Sequence, residues 1–299
     1  MSKNVAASVH QRLLNYSRTE GRRFNEVLQR YALERWLYRL SVSDHADRFV
    51  LKGALMLLAW QLPVTRPTKD IDMLARTEND LEKIRCVIVD VCSTSVDEDG
   101  LIFDVENVVT ERIAEDALYE GVRSTFTGFL ERARIAMQID LGFSDVITPG
   151  PVDLIYPTIL QQPAPQLKAY NRETAIAEKF EAMVKLGEVN SRMKDFFDVW
   201  SLASSQAFEG TTLEAAITQT FDRRNTEMSP NAVCFNDAFG ESPDKQKQWQ
   251  AFIKRSQLTE QTPTLFVDAW KEVMAFLTPM TRSDASDLRW PPGGPWRPR

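Results

Sequence analysis

Between residues 23 and 40 the apolar positions Phe24, Val27, Leu28, Tyr31, Leu33, Trp36, Leu37 and Leu40 recur at helical spacing and predict a long amphipathic helix. Residues 49–51 read as a short extended segment, Gly53 breaks it, and 54–62 turn helical. A strand is expected over 70–75 and a helix over 80–92, with Leu81, Ile84, Val87, Ile88 and Val91 on its apolar side. From about 101 to 158 the period changes to two, with β-rich runs at 101–110, 118–130, 134–141 and 152–160. Pro157, Pro163 and Pro165 mark a linker. Beyond 170 the helical period returns, over 171–187, 191–204, 211–222, 244–257 and 264–277. The pattern predicts an α/β lobe followed by a helical lobe. The stretch 283–299, with its Pro-Pro-Gly-Gly-Pro run, reads as a disordered tail in which Trp290 and Trp296 are the only candidate anchors.

Composition narrows the class. A chain of 299 residues, 43% hydrophobic and 26% charged, can bury a substantial core. Its net charge of −6 argues against a protein that coats nucleic acid non-specifically. Residues 1–40 run the other way, with Lys3, Arg12, Arg18, Arg22, Arg23, Arg30, Arg35 and Arg39 against Glu20, Glu26 and Glu34. That local excess would suit a polyanion or simply solvate a helix. Cys86, Cys92 and Cys234 have neither a disulfide framework nor zinc-ligand spacing, and His10 and His45 are the only histidines. A Ser-His-Asp hydrolase and a histidine-rich metal site are therefore disfavoured. With no apolar signal core, a soluble cytoplasmic protein is expected.

Candidate chemistry centres on Asp70 and Asp72. In a strand, residues i and i+2 share a face, so the two carboxylates would stand side by side while Ile71 and Met73 enter the core. Such a pair repels unless a cation lies between, and oxygen-ligated Mg²⁺ carrying a nucleotide's phosphates is the usual occupant. The turn at Gly53, ahead of an apolar helix, offers backbone N–H groups to phosphate. Asp140, in the apolar run 135–141, is the expected third metal ligand. Other acidic sets are weaker. Residues 95–106 mimic a calcium loop, but Ser95 stands where the first acid belongs and a strand follows.

Two charges on helical wheels stand out. Lys179 falls within the apolar arc of 171–187, between Met183 and Leu186. Asp195, with Arg192, falls within the arc of 191–204, while Lys194 and Asp198 fall outside it. A buried unpaired ammonium is costly, so Lys179 must meet an acid, a cleft or a ligand. The bland reading is a structural salt bridge, Lys179–Asp195 or Arg192–Asp195. The functional one is a lysine that binds a triphosphate, with Asp195 orienting it or accepting a proton.

Four blocks carry a resemblance: Val50-Leu51-Lys52-Gly53; Arg66-Pro67-Thr68-Lys69-Asp70-Ile71-Asp72; Arg172 through Lys179; and Arg192-Met193-Lys194-Asp195-Phe196-Phe197-Asp198. In order and spacing the chain resembles the AbiEii family of nucleotidyltransferase-like toxins, within the DNA-polymerase-β-like superfamily. The resemblance implies an α+β fold: a polymerase-β-like nucleotidyltransferase lobe with a mixed sheet, over 1–160, then an all-helical lobe, over 161–282. It implies that Lys52, Gly53, Ala54, Arg66 and Lys179 bind the nucleotide. Asp70, Asp72 and Asp140 would hold Mg²⁺, and Asp70, Asp72, Lys179 and Asp195 would be catalytic. An NTP would donate its nucleotide to an RNA acceptor, the 3′ end of tRNA, and an AbiEi-type antitoxin would be the partner. One departure matters: Gly53-Ala54 replaces the usual Gly-Gly or Gly-Ser, removing any hydroxyl contact to the γ-phosphate. Two alternatives stay open, transfer to a protein hydroxyl and a non-catalytic nucleotide-binding module. Labelled NTP separates the first from tRNA modification, and the joint presence of Asp70, Asp72, Lys179 and Asp195 argues against the second.

Overall fold

The computed structural model describes residues 4–116, 119–258, 262–282 and 284–299. The chain forms two compact units. The first comprises Met1–Ala59, Pro67–Ser144 and Val152–Ala169; the second comprises Trp60–Arg66, Asp145–Pro151 and Tyr170–Arg299.

In the first unit α1 (Val5–Thr19) and α2 (Phe24–Ser41) precede β1 (Phe49–Lys52), α3 (Leu55–Ala59), β2 (Asp70–Ala75) and α4 (Leu81–Ser93). Strands β3 (Leu101–Phe103), β4 (Val109–Asp116), β5 (Tyr119–Leu130), β6 (Ala133–Gly142), β7 (Val152–Ile155) and β8 (Gln166–Ala169) follow. They build one mixed sheet in the order β3-β5-β6-β2-β1-β8-β7, with β4 also on β5. β2 runs parallel to β6, and β1 parallel to β8, while β1–β2 and β5–β6 are antiparallel.

Register gives the sheet two distinct faces. On one, Met73, Leu141 and Val122 align across three strands, with Ile71 and Ile139 in the next row, all buried. Helices α2 and α4 pack on the sheet through buried stripes that include Leu33, Leu37, Ile84 and Ile88. The other face is polar and carries Asp70, Asp72 and Asp140. Period-two alternation thus sorts apolar from polar residues strand by strand.

The basic excess near the N-terminus is partly internal. Arg39 gives Nη1 and Nη2 to the Asp99 carboxylate at 2.6 and 3.0 Å, and both residues are buried. Asp99 also accepts the Leu101 N–H at 3.0 Å, so the loop that mimics a calcium site is a structural ion pair. Glu34 accepts the Ile159 N–H at 2.8 Å, and burial pushes its carboxyl up to about 7.

The second unit holds α5 (Arg172–Leu186), α6 (Met193–Ser205), β9 (Phe208–Glu209), α7 (Gly210–Arg223), α8 (Asp237–Gly240), α9 (Pro243–Ser256) and α10 (Phe266–Leu277). It ends in β10 (Leu288–Trp290) and β11 (Arg297–Pro298), which with β9 form a small antiparallel sheet. Here the structure departs from the expected disordered tail, and a small three-stranded sheet joins the helices. Trp290 donates Nε1 to the Ala203 carbonyl at 2.7 Å, and Trp296 donates to the Phe276 carbonyl at 2.9 Å while its ring stacks on Phe276. Two aromatic anchors outweigh a glycine- and proline-rich composition. The expected boundary at 160/161 also moves, because Gln166–Ala169 is a strand of the first sheet rather than linker.

Candidate active site

β2 places Asp70 and Asp72 on the polar face as its alternation requires, both half-buried. Their parallel neighbour β6 sets Asp140 directly opposite Asp72 and Gln138 opposite Asp70. One oxygen from each of Asp70, Asp72 and Asp140 lies within 4.8 Å of the others. Three carboxylates that close are a donor set of hard oxygens, and their mutual repulsion is relieved by a small divalent cation. The residues therefore fit the metal that the sequence suggests.

Gly53 explains how Asp72 reaches its place. Its φ is +74°, and a Cβ built there would stand 2.0 Å from Asp72 Oδ2. Only glycine leaves room for that carboxylate and tolerates the left-handed backbone. Lys52 lies opposite Asp72 in the β1–β2 register and is buried. The helix beyond is shorter than the sequence suggests. It spans Leu55–Ala59 only, and the N–H groups of Met56 and Leu57 turn back to the Gly53 and Ala54 carbonyls at 3.2 and 3.1 Å. Five residues bring little helix dipole, so any phosphate contact at this turn is a backbone contact. Ala54 is buried.

The remaining partners of the carboxylates were not assigned from the sequence. Thr68 Oγ1 donates to Asp70 Oδ1. Arg123, opposite Asp140 on β5, grips it with a two-pronged fork, Nε to Oδ1 at 2.8 Å and Nη2 to Oδ2 at 2.7 Å. Gln138 adds Nε2 to Oδ2 at 3.0 Å. Register across a sheet is not written in any one strand, so Arg123 could not be assigned beforehand, whereas Gln138 shares a strand and a face with Asp140.

The second unit gathers the remaining predicted residues. Asn171 caps α5, accepting the Thr174 N–H at 2.7 Å while its amide donates to the Thr148 and Gly150 carbonyls at 2.9 and 3.0 Å. This fixes the helix on which Lys179 sits. Lys179 Nζ contacts Asp195 at 3.2 Å and Asp198 at 2.7 Å, both from α6. Arg66 gives Nε and Nη2 to the two Asp198 oxygens at 2.8 and 2.9 Å. Burial would raise the Asp198 carboxyl, but Arg66 and Lys179 outweigh it and bring it down to about 2. Burial likewise opposes the Lys179 charge, and Asp198 and Asp195 more than restore it, so its pKa is raised.

Three expectations change here. Asp198, placed outside the apolar arc, is wholly buried and is the closer partner of Lys179. Helix α6 is buried without a break from Asp195 to Ala203, so its apolar arc does not mark a single inward side. Arg66 holds Asp198 through both prongs rather than standing open to a nucleotide. Arg192, expected inside, is exposed at the N-cap of α6.

Among the described residues no helix is long and apolar enough to cross a membrane. The family described as nucleotidyl transferase AbiEii toxin, type IV TA system, matches residues 35–276. No curated protein matches the chain. Among solved structures, MenT4, a nucleotidyltransferase toxin from Mycobacterium tuberculosis H37Rv, aligns at TM-score 0.50 with 13% identity, over 94% of this chain and 98% of that one. JHP933 from Helicobacter pylori aligns at TM-score 0.47 and 14% identity, covering 84% and 88%. At such identities the MenT4 likeness speaks for the fold alone.

Proposed function

The chain belongs to the AbiEii family of nucleotidyltransferase toxins, and we propose that it transfers a nucleoside monophosphate from an NTP to the 3′ end of tRNA, blocking translation. The acceptor hydroxyl attacks the α-phosphorus in line, and pyrophosphate leaves. The observation that supports this most is the acidic triad on β2 and β6, with Gly53 cut back to admit Asp72. Asp70, Asp72 and Asp140 would hold Mg²⁺, which when bound neutralises charge developing on the phosphates. Gly53 and Ala54 present backbone at the turn, with Lys52 buried beside Asp72 in register.

In the second unit Lys179 is the cation for the triphosphate, and Asp195 keeps its ammonium charged and oriented. Arg66 serves at one remove, by fixing Asp198, which in turn holds Lys179. A toxin of a type IV system implies an antitoxin, and an AbiEi-type repressor of the operon is the expected partner.

The test is incubation of the protein and an Asp72→Ala variant with total tRNA, Mg²⁺ and each α-³²P-labelled NTP in turn. Label in tRNA with the parent chain alone supports the proposal and names the nucleotide. Label in protein and none in tRNA would move the acceptor to a protein hydroxyl. No transfer with any NTP, while NTP still binds, would leave a binding module.

A further inference from the structure

The row that carries the carboxylates does not end with them. In register across four adjacent strands stand Lys52 on β1, Asp72 on β2, Asp140 on β6 and Arg123 on β5. Two anions are thus flanked by two cations, and the flanking cations differ in kind. Lys52 is buried, whereas the Arg123 side chain is 35% exposed.

Asp140 is already engaged on both oxygens. Oδ2 accepts from Arg123 Nη2 and from Gln138, and Oδ1 accepts from Arg123 Nε. A carboxylate oxygen has about two acceptor positions, so Oδ2 is filled and Oδ1 keeps one position. A divalent ion ligated by Asp70, Asp72 and Asp140 draws on the same oxygens, and it repels a guanidinium at hydrogen-bond distance from them.

We infer that Arg123 is a displaceable counter-ion, which neutralises Asp140 until a divalent metal arrives and competes with that metal for the carboxylate. Arg123 thereby weakens metal binding, in the manner of a competing ligand. Its partial exposure provides the route of release, because the guanidinium can turn into water without leaving a charge stranded in the interior. Lys52, being buried, has no such route. The inference rests on the reading that the triad holds the metal.

The test measures Mn²⁺ affinity directly, by electron paramagnetic resonance of the free ion, and involves no turnover. Arg123→Gln is expected to bind Mn²⁺ roughly tenfold more tightly than the parent chain, the scale of one lost charged hydrogen-bond pair. In an Asp140→Ala background the same substitution is expected to change the affinity by less than about twofold, because the shared oxygens are gone. Unchanged or weaker binding by folded Arg123→Gln would overturn the inference and make Arg123 a structural partner of Asp140. If that variant does not fold, Arg123→Lys decides: it keeps the charge but loses the fork, and should tighten Mn²⁺ by about threefold. Unchanged or weaker binding there would overturn the inference equally. Absence of any Asp72-dependent Mn²⁺ binding by the parent chain would instead remove the metal reading itself, and the inference with it.

Discussion

The two units carry charge in opposite ways. On the polar face of the first sheet three carboxylates converge within 4.8 Å. Thr68 hydrogen-bonds to Asp70, and Arg123 and Gln138 to Asp140. In the second unit two cations, Arg66 and Lys179, meet two anions, Asp195 and Asp198, and each charge finds its opposite at 3.2 Å or less. The first arrangement crowds three like charges, a repulsion that a divalent ion would relieve. The second is settled within the protein. Removing a carboxylate should therefore relieve the first region and damage the second.

The largest effect expected is chemical. Asp72→Asn should lower nucleotide transfer on the order of a thousandfold, since a lost metal ligand forfeits several kcal/mol of charge stabilisation. Its melting temperature should hold or rise, as one like-charge repulsion disappears, and thermal unfolding monitored by circular dichroism checks this.

Asp198→Ala should do the reverse. It leaves Arg66 and Lys179 buried without their shared anion, a loss of about 3–5 kcal/mol. Chemical denaturation reads it, and an unchanged midpoint would erase the contrast between the regions.

Gly53→Ala joins the two kinds of damage in the first unit. The added methyl meets Asp72 Oδ2, and the backbone at φ +74° is strained for any side chain. A stability loss of about 1–2 kcal/mol is expected, together with weaker Mn²⁺ binding.

The remaining effects lie in pH dependence and have opposite signs. Asp198 titrates near 2 in the folded chain and at 3.8 when unfolded, so its contribution is complete above 3.8 and is lost as pH falls through 2. Glu34 titrates near 7 when folded against 4.5 when unfolded, so the native state binds the extra proton between those values. Stability should then fall as pH rises from 4.5 to 7, and Glu34→Gln should flatten that slope in urea titrations.

Much of the carboxylate site was legible in the sequence, and the reason is local. Asp70 and Asp72 sit on a short strand whose period two can be read from six residues, and Gly53 signals a turn that no other residue would make. What escaped was pairing between distant segments. Arg123 meets Asp140 only because β5 and β6 take one register, and Asp198 meets Arg66 across 132 residues of chain. The helical wheel failed on α6 because it assumes a solvated side, and that helix has little of one. The tail was misread because its prolines and glycines dominate the composition, while Trp290 and Trp296 decide the fold. Strand β8 was hidden in the same way among Pro157, Pro163 and Pro165.

The most direct measurement is label transfer from α-³²P-NTP by Asp72→Asn and Asp198→Asn, each paired with its melting temperature. Asp72→Asn should melt no lower than the parent chain and lose label transfer by about a thousandfold, and Asp198→Asn should melt lower by about 10 °C. Near-parental transfer surviving in well-folded Asp72→Asn would contradict this.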